Sequence, residues 1–126
     1  MRSAGFDFIK ETDTIPGSYY AHMKMEKGFE IPEGVTSIGD YAFYKTSGLE
    51  YLFIPKSVKY IGTMTLAHSD NLRTIEYDGT LEEFSKIQFE FRCFDDDVFT
   101  MQTRMFKFTD VTKSLNQLIQ DGVINS

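Results

Sequence analysis

Residues 31–53 read IPEGVTSIGDYAFYKTSGLEYLF, and residues 54–76 read IPKSVKYIGTMTLAHSDNLRTIE. Aligned without a gap, the two segments share their Ile-Pro start, a Val, an Ile-Gly pair and a Leu. The matched pairs are Ile31 and Ile54, Pro32 and Pro55, Val35 and Val58, Ile38 and Ile61, Gly39 and Gly62, Leu49 and Leu72, Phe43 and Leu66, and Leu52 and Ile75. A fixed period of 23 residues predicts an array of stacked units that share one core.

The end of each unit predicts a short β-strand in which alternate side chains point into the core. The inward positions are Leu49, Leu52 and Ile54 in one unit, and Leu72, Ile75 and Tyr77 in the next. Pro55 ends the hydrogen-bonded ladder because proline has no N–H to donate. The two strands are therefore expected to stack in parallel.

A sharp turn is predicted near the middle of each unit. Gly39 and Gly62 lie there, and we expect them to adopt positive φ, which glycine tolerates without steric cost. Asp40 is expected to cap a brief helical turn that points Ala42 and Phe43 into the core.

Residues 1–30 are interpreted as a degenerate N-terminal repeat or cap. Carried one period backwards, the spacing places Ile15 under Ile38, Tyr20 under Phe43 and Phe29 under Leu52. The Ile-Pro, the Gly and the first Leu are missing from this stretch. An irregular unit is expected at the end of an array, because one of its faces has no neighbouring unit.

The pattern IPxxVxxIGxxAFxxxxxLxxLxIPxxVxxIG resembles the BspA-like leucine-rich repeat. The resemblance implies an α/β leucine-rich-repeat solenoid with a short parallel sheet on one face and short helical turns on the other. It also implies a family of interaction proteins. Two departures are visible: Lys45-Thr46 and His68-Ser69 stand where family repeats commonly have Gly-Cys, and Met64-Thr65-Leu66 replaces the small-aromatic pattern. The two repeats of residues 31–76 are therefore divergent.

Residues 77–108 are similar to the closing unit that such arrays often carry, with Phe84 in the place of the usual Trp. The residues support a short helix, since Thr80 and Glu83 form a capping-box pattern. Leu81, Phe84 and Ile87 form its inward stripe, and Glu82 is placed to pair with Lys86.

Two strands are predicted after this helix. Apolar residues alternate with polar ones at Phe89, Phe91 and Cys93, which predicts a strand that ends at an acidic turn, Asp95–Asp97. Phe106–Phe108 predicts a last strand.

Residues 109–126 predict a C-terminal capping helix of about ten residues. Val111, Leu115, Leu118 and Ile119 fall on one helical face, with Thr109 or Asp110 as N-cap and Gly122 as the stop. The helix is expected to cover the open end of the array, and docking on a partner or on a second copy of the chain is the alternative. All these parts are expected to form one domain, given 126 residues.

Composition limits the classes of partner. The net charge of −6 argues against binding to nucleic acid or anionic lipid, which chiefly requires Lys and Arg. Solubility explains such a charge, and a basic partner is the alternative interpretation.

No stretch approaches the roughly 18 to 20 apolar residues of a membrane span, and residues 1–13 contain no signal-like apolar run. We expect a cytoplasmic protein, and a secreted parent protein stays open.

No motif for chemistry is present. His22 and His68 lie in different units without a neighbouring ligand, and Asp95–Asp97 lack the EF-hand pattern. Cys93, the single cysteine, has no local nucleophile signature and cannot form an internal disulfide. Phosphate-binding glycine motifs are also missing from the sequence. We therefore expect no catalytic residue, no metal and no cofactor.

The outward strand positions predict one continuous binding face. It comprises Lys27, Glu30, Glu50, Tyr51, Phe53, Arg73, Thr74 and Glu76. Tyr51 and Phe53 beside Arg73 have the composition of an interface centre. Two alternatives stay open: the C-terminal segment folds over the two rings, or the strand register is shifted by one residue and buries them.

Three functions are compatible with this sequence. The first is a non-catalytic protein-interaction module, such as an intracellular inhibitor or adaptor encoded by a phage or mobile element, by analogy. The second is a fragment of a cell-surface adhesin-type repeat protein. The third, nucleic-acid binding or acidic mimicry of nucleic acid, depends only on the charge.

Overall fold

The 23-residue period of the sequence determines how the strands align in two sheets. The computed structural model describes residues 14–15, 27–46, 48–66, 69, 71–90 and 104–124. The strands are β1 (Thr14–Ile15), β2 (Gly28–Glu30), β3 (Ser37–Ile38), β4 (Tyr51–Ile54), β5 (Tyr60–Ile61), β6 (Thr74–Tyr77), β7 (Gln88–Phe89), β8 (Met105–Lys107) and β9 (Thr112–Ser114). Two short helices, α1 (Leu81–Phe84) and α2 (Leu115–Gln120), complete the described elements.

The larger sheet has the strand order β2-β4-β6-β8-β9. Its first four strands are parallel, and Phe29 aligns with Leu52, which aligns with Ile75, at the 23-residue spacing of the repeat. The next step is longer, because Ile75 aligns with Phe106, 31 residues further along the chain. The predicted parallel stacking and the predicted strand at Phe106 are confirmed.

Each unit also contributes a strand to a second sheet, in the order β1-β3-β5-β7, which the sequence did not predict and which precedes the predicted helical turns. Ile15 aligns with Ile38 in this sheet, and Ile38 aligns with Ile61, as the period predicts. The helical-turn prediction is wrong for a local reason. Tyr41 and its repeat equivalent Met64 have φ of 59° and 50°, which no right-handed helical turn accommodates.

One apolar core lies between the two sheets. All six predicted inward positions are at most 3% exposed: Leu49, Leu52, Ile54, Leu72, Ile75 and Tyr77. Ala42 and Phe43 are fully buried, as expected. The β4 strand ends at Ile54, directly before Pro55, in agreement with the prediction that proline ends the ladder.

The roles predicted for Gly39, Asp40 and Gly62 need correction. Neither glycine has positive φ. Gly62 is required for close packing, since a Cβ atom there would lie 2.7 Å from the backbone nitrogen of Asp40 and 2.9 Å from the carbonyl carbon of Gly39. The Asp40 carboxylate accepts a hydrogen bond from the Thr63 N–H at 2.8 Å, so it links two consecutive units.

The last parallel unit contains an aromatic cluster. Phe84 of α1 is fully buried, with ring centroids 5.0 Å from Phe89, 5.9 Å from Phe106 and 5.0 Å from Phe108. Tyr77 meets Phe84 edge to face at 5.1 Å. Such pairs add to the free energy of burial, so this cluster stabilises the last parallel unit.

The capping box of α1 is confirmed. The Thr80 side chain accepts from the Glu83 N–H, and the Glu83 carboxylate accepts from the Thr80 N–H at 2.9 Å. The predicted Glu82–Lys86 pair does not form, and Glu83 instead lies 3.8 Å from Lys56 Nζ. The backbone hydrogen bond from Thr80 is the main cause that lowers the pKa of Glu83.

The C-terminal segment differs most from expectation. Residues 112–114 form β9, antiparallel to β8, where we had predicted the first turn of a helix. The helix begins after Ser114, which forms a capping box with Gln117, and it spans six residues. Asp110, a predicted N-cap of this helix, accepts a hydrogen bond from the Leu81 N–H of α1. Gly122 has φ of 78° and follows the helix as predicted.

Several predictions fall outside the described residues. They concern Tyr20, His22, His68, Phe91, Cys93 and the acidic turn Asp95–Asp97. The division into residues 1–30, 31–76, 77–108 and 109–126 within one domain stays a prediction. Among the residues that the structure describes, no helix has the length and apolar composition needed to cross a membrane.

Candidate binding face of the five-stranded sheet

The outward side of the larger sheet presents two parallel rows of side chains. The register places Gly28, Tyr51, Thr74, Met105 and Ser114 side by side in the first, the Tyr51 row. Glu30, Phe53, Glu76, Lys107 and Thr112 form the second, the Phe53 row. Because β2, β4, β6 and β8 each bury the residue between these positions, the two rows form one side of the sheet.

Five of the eight predicted face residues lie in these rows: Glu30, Tyr51, Phe53, Thr74 and Glu76. Lys27, Glu50 and Arg73 lie directly before the strands, where they form an exposed margin to the Tyr51 row. Backbone hydrogen bonds join this margin, since the Tyr51 N–H donates to Lys27 and the Arg73 N–H donates to Glu50. The structure therefore brings all eight residues to one side of the sheet or its margin.

Tyr51 is fixed in position on this face. Gly28 leaves space for its ring, because a Cβ atom at Gly28 would lie 3.4 Å from Cδ2 of Tyr51. The Tyr51 hydroxyl donates a hydrogen bond to Oε1 of Glu76 at 2.8 Å. Burial, this hydrogen bond and the charges of Glu76 and Glu30 raise the pKa of Tyr51 to about 12. The phenol therefore stays protonated at neutral pH.

Phe53 is half-buried and lies between two carboxylates. Glu30 of β2 and Glu76 of β6 are its direct neighbours in the Phe53 row. The alternative register is wrong, because Leu52 and Ile54 fill the core and are at most 1% exposed. Tyr51 and Phe53 both keep part of their surface exposed to solvent.

The face continues on β8 and β9, which was not predicted. Met105, 36% exposed, extends the Tyr51 row, and Lys107 extends the Phe53 row. The 23-residue period did not reveal them because the chain is longer between β6 and β8. The alternation of Met105, Phe106, Lys107 and Phe108 was the available signal.

A separate depression of about 240 Å³ lies away from the two rows. It is lined by Lys56, Val58, Lys59, Tyr77, Glu83, Lys86 and Ile87. Its one carboxylate, Glu83, already accepts a hydrogen bond from the Thr80 N–H and lies 3.8 Å from Lys56 Nζ. No group of three or more metal-ligating side chains occurs within the described ranges.

Two parallel sheets with a 23-residue register define a leucine-rich repeat protein, a class whose sheet faces bind other proteins. The chain belongs to the BspA type: the family model described as a BspA type leucine rich repeat region of six copies matches residues 13–116. No curated protein and no solved structure matches it.

Proposed function

We propose that the chain is a short solenoid that binds another protein through the Tyr51 and Phe53 rows and catalyses no reaction. The observation that carries the proposal is the placement of two half-exposed aromatic rings at the centre of a continuous sheet face. Interfaces are enriched in Tyr, Phe, Met and Arg, and this face or its margin contains all four. It offers no nucleophile–base pair among its described side chains.

The face is organised before a partner arrives. Every strand of the rows pairs with a neighbour, and on the four parallel strands the residues between the rows are part of the core. Tyr51 is held by Glu76, so its ring loses little conformational freedom on binding. A rigid aromatic residue of this kind lowers the entropic cost of association.

The specific role is a further part of the proposal. An inhibitor or adaptor in the cytoplasm and a surface adhesin fragment would use the same face, and they differ in where the partner protein is found. A small, acidic, single-face binder fits the first role by analogy.

The test is affinity capture from cells of the native source with the immobilised full chain, followed by mass spectrometry. Phe53→Ala and Tyr51→Ala remove the two rings, and Lys59→Ala changes an exposed residue beside the opposite sheet as a matched control. Circular dichroism verifies that each variant is folded. We expect a protein retained by the unmodified chain and by Lys59→Ala but lost with both ring variants. Partners that both ring variants retain fully would overturn the proposal.

A further inference from the structure

The centre of the Phe53 row has an arrangement suited to a cation. Glu30, Phe53 and Glu76 are direct register neighbours on three adjacent parallel strands. Adjacent strands lie about 4.8 Å apart, so a carboxylate stands on each side of the Phe53 ring. An aromatic face attracts a cation within about 6 Å of its centroid, and flanking carboxylates add charge-assisted hydrogen bonds.

Neither carboxylate forms an ion pair within the part of the chain that the structure describes. Glu30 is exposed and forms no ion pair with any described residue. Glu76 has Lys107 as its register neighbour on β8, yet no ion pair joins them. A cation placed over Phe53 would relieve the repulsion between Glu30 and Glu76.

The Tyr51 hydroxyl explains why Glu76 is not paired with Lys107. Tyr51 lies on β4, whereas Lys107 lies on β8, on the opposite side of β6. The 2.8 Å hydrogen bond from Tyr51 to Oε1 therefore draws the Glu76 carboxylate toward β4, where Phe53 also lies. Tyr51 is in this sense a positioning residue for Glu76.

We propose that Glu30, Phe53 and Glu76 recognise an arginine side chain of the partner protein, stacked on the Phe53 ring between the two carboxylates. Arginine fits better than lysine because its planar guanidinium stacks on a ring while its N–H groups point outward to oxygen acceptors. This inference rests on the proposed function, since it specifies what the same face binds.

The test is an NMR titration of the ¹⁵N-labelled full chain with the peptide N-acetyl-Gly-Arg-Gly-amide. We expect saturable shift changes at the amides of Glu30, Phe53 and Glu76, and none with the matched peptide that has Gln in place of Arg. Phe53→Leu keeps an apolar side chain without the aromatic face, and Glu30→Gln removes one charge. Each should weaken arginine-peptide binding by about three-fold or more.

The positioning role of Tyr51 has its own readout. Tyr51→Phe keeps the ring but releases Glu76 toward Lys107, and it should also weaken binding of the arginine peptide. Adding Lys107→Gln to Tyr51→Phe should restore more affinity than Lys107→Gln adds to the unmodified chain. A purely structural effect of Tyr51→Phe would produce no such difference, and equal gains would overturn this part.

The arginine proposal is wrong if the Gln peptide produces the same shifts, or if Phe53→Leu and Glu30→Gln bind the arginine peptide as the unmodified chain does. The proposed function is tested separately by the capture experiment. A captured partner that requires Phe53, together with a peptide that does not bind, would overturn the arginine proposal alone. A binding peptide without any Phe53-dependent partner would overturn the proposed function alone.

Discussion

The hydroxyl groups of Thr46 and Ser69, which are 23 residues apart, lie 2.8 Å from each other in the interior between two consecutive units. The Phe43 carbonyl oxygen lies 2.7 Å from Thr46 Oγ1 and 2.6 Å from Ser69 Oγ, so the two hydroxyl protons are shared among three close oxygen–oxygen contacts. The Thr46 N–H contacts Ser69 Oγ at 3.3 Å. The buried hydroxyl pair therefore supplies hydrogen-bonding partners for the Phe43 carbonyl and the Thr46 N–H.

Ser69→Ala should lower the free energy of unfolding by about 1–3 kcal/mol, because buried groups of Thr46 lose a hydrogen-bonding partner. Thr46→Val should have a similar effect. The double variant should cost less than the sum of the two, since neither hydroxyl is then left without the other. Urea unfolding followed by circular dichroism measures all three values, and strict additivity would contradict the predicted coupling.

Gly62→Ala should destabilise the fold by about 1–3 kcal/mol, since its methyl group would overlap the backbone of Gly39 and Asp40 in the preceding unit. Gly48→Ala is the matched control, because nothing lies within 4 Å of a Cβ atom at that position. Thermal unfolding of the two variants compares them directly. Equal midpoints would mean that the close approach at Gly62 is not required.

The repeat itself could be predicted from the sequence because period and packing are tied together. Leu52 and Ile75 have to align when each unit has 23 residues and buries alternate strand positions. The same alternation places Tyr51 and Phe53 outward. Gly62 was correctly predicted to require glycine, but for the wrong reason. The sequence does not show whether a glycine is needed for positive φ or for close packing.

The structure of the C-terminal segment was harder to predict because the 23-residue repeat does not extend into it. Thr109, Asp110 and Ser114 are all good N-cap residues, and only tertiary contacts decide between them. Residues 112–114 pair with β8 and so form hydrogen bonds with backbone groups at the edge of the sheet. The helix α2 therefore begins later in the chain than the sequence predicts. The hydrogen bond between Tyr51 and Glu76 could not be predicted from the sequence either, because the two residues are diagonal neighbours on adjacent strands and not register partners.

Ser114→Ala should destabilise the protein by about 0.5–2 kcal/mol, because the Gln117 N–H loses its capping acceptor at the start of α2. Thr109→Ala is the control: its backbone N–H bonds to the Gly79 carbonyl, and no side-chain hydrogen bond is present to lose. Chemical denaturation of both variants tests the assignment. A larger loss with Thr109→Ala would favour the cap that the sequence predicted.

Tyr51 should ionise at a pH near 12, well above the ordinary tyrosine value of about 10. The chain has seven tyrosines, so its signal is isolated as the difference in tyrosinate absorbance between the unmodified chain and Tyr51→Phe. A raised pKa on a group that is neutral when protonated contributes stability below its unfolded pKa, and the contribution is lost as pH rises through the folded value.

Glu76→Gln should lower the pKa of Tyr51 because it removes the nearest negative charge. The pKa should still exceed the ordinary value, since burial is the largest cause of the shift and the amide oxygen of Gln still accepts a hydrogen bond. Glu30→Gln should lower it less, because the charge of Glu30 makes the smallest contribution. Should Glu76→Gln leave the pKa of Tyr51 unchanged, the hydroxyl is not held by Glu76, and Tyr51 does not position Glu76 for the Phe53 row.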